Sequence, residues 1–432
     1  MSRAKRVGIV VGLIVLVLFA LIGVLSLTRG TPVSRVIAEG DGKGPPPIGD
    51  SLFAHSIELY TGIALEPGNQ VEMVLNGSVY PRLYADLSTA RHTITMQMYY
   101  SLPGAVADSV KAHLIERARA GVRVLLLLDA FGSQHLVGGW TDSLKQAGVE
   151  VALLRKLHWY SLHSATDRSH VRVVVVDGRV AYTGGFGLAD YWLGDGRRKD
   201  QWREGNVRFE GPSVMYLQAA FASGWAESTG ELITGDLFFP RETFRVAEGG
   251  MTAGVLFAVP TTGSTPAERF IALTIAGARK RLWIANSYFV PDDDFRRGMI
   301  RAAKRGVDVR VLTVGPETDV KTTWYAGRAH YEELLRGGVK VYEYQPTMMH
   351  AKTIVADGTW GTIGSMNFDN RSMAFNNESN LVVLDPQFGA AMEAAFLEDL
   401  RYAKEIRLDE FRQRGRWERI METGAVLLSR IL

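Results

Sequence analysis

His350–Asn367 reads HAKTIVADGTWGTIGSMN, and the spacing of its polar residues decides what the surrounding chain must be. The β-branched, apolar TIVA run and the Asp-Gly after it predict a strand, a turn and a second strand. Residues two apart on a strand share a face, so His350, Lys352 and Ile354 are expected on one side. An imidazole beside an ammonium is a poor core pair, because an unpaired buried charge is costly. The pair makes chemical sense in front of an anion, with Gly364-Ser365 and Asn367 adding backbone and side-chain donors. Taken alone, the stretch also fits a surface hairpin with polar residues at chance positions.

A second copy stands upstream. His170–Gly187 reads HVRVVVVDGRVAYTGGFG, and His170, Arg172, Asp177 and Gly184-Gly185 fall on His350, Lys352, Asp357 and Gly364-Ser365 at a constant offset of 180 residues. The similarity extends outward: Tyr99–Asp129 matches Tyr288–Thr313 as an aromatic strand, a Pro turn, an amphipathic helix, Gly-Val and another apolar strand. The chain is an internal duplication. Two halves, each with one His and one cation, predict a single site where they meet. There one imidazole can attack a phosphodiester to form a phospho-histidine. The other can protonate the departing alkoxide, then deprotonate the incoming alcohol or water. Arg172 and Lys352 would neutralise the phosphoryl oxygens. This scheme requires no metal and no other cofactor.

The duplicated HxKx4D pattern with trailing GG or GS resembles the phospholipase D superfamily. The stretches YFVPDDD, YEELLRGGVKVYEYQPTMMHAKTIVADG, GSMNFDNRSMAFNNESNLVV and WREGNVRFEGPSV resemble its bacterial cardiolipin synthase branch. The resemblance covers about Val71 to Leu432. It implies an α/β fold of two duplicated sandwich units packed face to face, with one active site between them. It also implies transfer of a phosphatidyl group between two phosphatidylglycerols, giving cardiolipin and glycerol, with His170 attacking and His350 protonating. Acidic residues lie near both histidines in the family and act crosswise in some members, so Glu378 is expected on His170 and Glu204 on His350. Asn367, Ser365 and Gly185 are expected to hold substrate. Asp177 and Asp357 precede Gly at turns, where Asp bonds local backbone, and are expected to be structural. The first motif departs from the family twice: Arg172 stands where Lys is usual, and Gly187 where Asn is usual. Hydrolysis by water, a nuclease-type phosphodiesterase and a silent lipid-binding homologue remain alternatives.

Composition narrows these. The net charge is +3 and 47% of residues are hydrophobic. Spread-out charge argues against a nucleic-acid partner, and the absence of cysteine excludes disulfides and thiolate chemistry. Val7–Leu27 is 21 uncharged residues, long enough for a bilayer core of about 20. It is expected to be an uncleaved single-pass anchor in the cell membrane. Arg3, Lys5 and Arg6 before it lean toward a cytoplasmic N-terminus, which would place the catalytic part outside. Expected partners are therefore phosphatidylglycerol, other phospholipids and the membrane. The chain divides into an anchor (1–28), a linker with a short helix leading into the first half (29–66), a first half (67–248) and a second half (249–432). The amphipathic tail Trp417–Leu432 suits either a membrane surface or a domain face. His158, His163 and His330 lack the motif's strand context and are expected to be surface or filler residues.

Overall fold

In the computed structural model, which describes residues 3–28, 32–37, 45–156, 168–244, 249–261 and 263–428, fifteen strands among the described residues join into one mixed sheet. The first half supplies β1 (Glu66–Leu75), β2 (Thr93–Met98), β3 (Arg123–Asp129), β4 (Glu150–Leu154), β5 (Val173–Val176), β6 (Val180–Gly184) and β7 (Gly205–Glu210). The second supplies β8 (Met251–Ala258), β9 (Arg281–Asn286), β10 (Asp308–Val314), β11 (Lys340–Tyr344), β12 (Lys352–Ala356), β13 (Trp360–Gly364), β14 (Glu378–Leu384) and β15 (Ala403–Ile406). An antiparallel β1–β8 junction joins them. Outward from it the orders are β1-β7-β6-β5-β2-β3-β4 and β8-β14-β13-β12-β9-β10-β11, with β15 added at the second edge. The duplication thus reappears strand for strand, and the two units share a sheet as well as an interface.

The valine run of β5 shows why these segments are apolar throughout. Val173 and Val175 enter an interior cluster with Val207 and Phe209, and with Ile363, Leu381 and Val383 of the other half. Val174 and Val176 point outward into a second cluster with Ile94 and Leu114. In β12, Val355 faces the shared interior, while Ile354 and Ala356 face a third cluster with Phe270 and Met299. A strand covered on both faces has no hydrophobic alternation to fix its register.

Register is held instead by the two motif aspartates. The Asp177 carboxylate accepts the backbone N–H groups of Arg91, His92 and Thr93, at 2.9, 2.7 and 2.8 Å, just where β2 begins. Asp357 accepts those of Arg279, Lys280 and Arg281 at the start of β9, at 2.9, 2.7 and 2.9 Å. Both aspartates have φ +53°, a left-handed conformation that Asp tolerates better than most residues.

The terminal elements bear on three sequence expectations. Arg3–Thr28 is helical, but among the described residues no helix is long and apolar enough to cross a membrane. The helix Ser51–Thr61, capped by Asp50, runs on into β1 of the first half but packs on the second. Its Phe53 and Ile57 join the outer core of the second half with Phe270, Ile271 and Trp360, with Phe53 edge-on to Trp360 at 5.1 Å. The C-terminal helix Arg416–Val426 combines the two readings of the tail. Ala425 packs with Val290 and Ala326, while Trp417, Ile420 and Leu427 stay exposed. His158, His163, Glu248 and most of the linker lie outside the described residues.

Candidate active site

The motif histidines lie just before their strands, where each half's chain pairs with the other half. Ser169 bridges to Asn377, and Met349 to Arg203. The His170 N–H donates to Asn377 O at 2.9 Å and the His350 N–H to Arg203 O at 2.7 Å. The residue after each acceptor is the glutamate. Backbone pairing therefore delivers each glutamate to the opposite half's histidine. His170 Nδ1 lies 3.0 and 3.2 Å from the Glu378 carboxylate oxygens, and His350 Nδ1 lies 2.5 Å from Glu204 Oε2. A carboxylate on Nδ1 fixes the tautomer and leaves Nε2 for chemistry. His350 precedes β12 rather than lying on it, so the strand alternation expected for the pair does not govern its direction.

Both histidines and Arg172 line a cavity of about 280 Å³. Burial lowers His170 to about 4, against the raising pull of Glu378. Burial, with Lys352, Arg172 and His170 nearby, holds His350 well below the ordinary imidazole value. Both rings are thus neutral before substrate arrives. Lys352 is drawn down to about 7, first by burial, with Glu204 opposing and Arg172 assisting. Its ammonium donates to Ser287 Oγ at 2.9 Å and to His350 O. Arg172 donates from Nη1 to His170 O at 3.2 Å, while its buried Nε finds no partner among the described residues.

The other expected substrate-holding residues divide. Asn367 lines the cavity, its Oδ1 accepting from Ser287 Oγ at 2.9 Å. Ser365 does not line it; its hydroxyl donates to Glu378 Oε2 at 2.5 Å. Gly185, its counterpart, packs on Glu204, where a Cβ would come within 2.3 Å of both carboxylate oxygens. These two positions sit against the glutamates. Of the paired asparagines, Asn376 lines the cavity and donates to Glu378 Oε1 at 3.3 Å.

The two departures in the first motif have a shared structural context. Each aspartate's three N–H bonds set the strands before the motifs at an offset of 188 residues, so Tyr99, not Tyr100, lies opposite Ser287. The second half therefore uses Lys352, Ser287 and Asn367, whereas the first uses Arg172, Tyr99 and Gly187. The Arg172 guanidinium carbon lies 5.9 Å from the centre of the Tyr99 ring, which meets His170 edge-on at 5.0 Å. Gly187 has no room for an Asn: a Cβ would lie 2.5 Å from Tyr100 O and 2.9 Å from the Trp192 ring. Trp192 fills that space, donates to Glu204 Oε2 at 3.1 Å and meets His350 edge-on at 5.5 Å. Trp192 and Trp202 escape the sequence reading because the second half has no matching aromatic pair to flag them. Asp319, Asp369 and Arg371 also line the cavity; Asp319 comes from a loop without a motif, and Asp369 and Arg371 from the cap and first turn of the short helix Asn370–Ala374.

The cardiolipin synthase, PLD-like domain model matches residues 83–221 and 271–400. The chain belongs to the cardiolipin synthase branch of the phospholipase D superfamily. It is 33% identical over 84% of its length to a cardiolipin synthase of Geobacillus kaustophilus, covering 72% of that protein. It is 29% identical over 90% of its length to cardiolipin synthase A of Pseudomonas putida, covering 82% of that protein. Its fold is similar to that of phosphatidylserine synthase from Haemophilus influenzae, with a TM-score of 0.65 at 13% identity, covering 88% of this chain and all of the other. The chain is accordingly a phosphatidyltransferase of that superfamily.

Proposed function

We propose that the chain makes cardiolipin from two phosphatidylglycerols through a phosphatidyl-histidine. Two crosswise His–Glu pairs with two buried cations, at one cavity shared by both halves, carry this reading. His170 Nε2 attacks the phosphorus of the donor lipid, and His350 gives a proton to the departing glycerol oxygen. His350 is neutral in the free enzyme. A phosphate arriving between the motifs raises it, because a nearby anion favours the protonated imidazole. The acceptor's hydroxyl then loses its proton to His350 as its oxygen displaces His170. Arg172 and Lys352 hold the charge that develops on the phosphoryl oxygens.

The enzyme is placed at the cell membrane in this reading. The helix Arg3–Thr28 and the exposed Trp417, Ile420 and Leu427 of the tail support an association with lipid, with the N-terminal segment acting as the anchor. The catalytic part lies outside the cytoplasm. Purified protein given labelled phosphatidylglycerol should release glycerol and form labelled cardiolipin. Formation of phosphatidate alone would make it a hydrolase, and no lipid product at all would leave a silent binding protein. Because cations and imidazoles supply every charge and proton in this scheme, turnover should survive a strong chelator. Loss on chelation, restored by a divalent ion, would refute the scheme.

A further inference from the structure

The cavity lining is polar at Asp369, Arg371 and Asn376. On the His350 side the wall is aromatic. The Trp202 ring lies 4.9 Å from the His350 ring, tilted by 33°. Tyr191 stacks on Trp202 at 5.2 Å and 10°, and Tyr100 at 6.5 Å and 24°. Tyr191 is 42% exposed, so the stack runs from the protein surface inward to the imidazole. It is also held in place. The Trp202 N–H donates to Tyr191 O at 2.6 Å, and the next residue, Arg203, pairs with Met348 and bonds Asp399 at 2.7 Å.

The geometry points to Trp202 as the residue that makes the site favour an alcohol over water, an inference that rests on the transferase reading above. Both acceptors use the same step: the phosphorus–nitrogen bond to His170 breaks, a new oxygen–phosphorus bond forms, and the acceptor's proton moves to His350. Phosphatidylglycerol gives cardiolipin; water gives phosphatidate. Beside His350 a water meets an aromatic face and gives up hydrogen bonds it holds in bulk. A lipid alcohol keeps its hydroxyl bond to the imidazole and lays its carbon skeleton on the ring. The wall thus lowers the local share of water without touching the phosphoryl group, so its effect falls on product choice.

The test is the ratio of cardiolipin to phosphatidate formed from labelled phosphatidylglycerol in one reaction. That ratio does not depend on how much of the protein is folded. Trp202→Phe should keep the wild-type ratio, and Trp202→Ala should lower it about tenfold or more, the scale on which apolar contacts discriminate acceptors. If Trp202→Ala gives no product, Trp202→Leu should show the fall. In a wild type that makes cardiolipin, an unchanged ratio in these variants overturns the role of Trp202 and leaves the transferase intact. Phe falling as far as Ala also overturns it. A wild type that makes only phosphatidate overturns both the transferase reading and this one.

Discussion

At the scale of single residues, the site is built from groups whose burial changes their protonation. Lys352 carries the clearest consequence. With its ammonium drawn down to about 7 by burial, the free enzyme loses this positive charge as pH rises through neutrality. Its contribution to phosphate binding is present below about 7 and lost above. His170, at about 4, is a free nucleophile only above that value. The pH profile of kcat/KM, which reports the free enzyme, should therefore fall on the acid side near 4, and on the alkaline side first as the acid His350 loses its proton below the ordinary imidazole value and again near 7 as Lys352 loses its charge. Lys352→Arg keeps a charge that does not titrate in this range, so the fall near 7 should move to higher pH even if the maximum drops. An alkaline limb that stays at 7 in the variant would assign it to another group. The two histidines and two cations were legible from their spacing. That Tyr99 stands beside Arg172 where Ser287 stands beside Lys352 was not, because it needs the 188-residue offset of the strands before the motifs, which differs from the 180 of the motifs themselves.

At the scale of elements, the motif's aspartates and small residues do different work from its histidines. Asp177 and Asp357 each tie three backbone N–H groups to the start of a neighbouring strand. Hydrogen bonds to a charged group contribute about 1.5–3 kcal/mol. Asp357→Ala should thus lower the free energy of unfolding by about 2 kcal/mol or more, read as a lower urea midpoint at unchanged slope. A midpoint equal to the wild type would show that β9 is registered by packing alone. The strand–turn–strand reading of His350–Asn367 survives as β12 and β13, because β-branched residues and an Asp-Gly turn are local signals. The direction of Ser365 was not readable. A serine near a phosphate site and a serine holding a glutamate have the same sequence, and only the pairing of β13 with β14, Gly364 opposite Asn380, sends its hydroxyl to Glu378.

At the scale of the whole molecule, neither half holds a complete site. The crossing bridges Ser169–Asn377 and Arg203–Met349 make each half complete the other's histidine, and the shared interior cluster fixes the distance between them. Repetition of the motif made this legible, since two incomplete copies call for one interface. The attachment of Ser51–Thr61 to the second half was not legible, because an amphipathic helix does not state which core it covers. The crosswise site can be read out as the position of the covalent intermediate. Short-chain phosphatidylglycerol, a rapid alkaline quench and peptide mapping would locate the adduct. The two-histidine site predicts a phosphatidyl group on the peptide that contains His170, formed and consumed at rates that match turnover. An adduct on His350 alone, or full turnover with no adduct on either histidine, would contradict it.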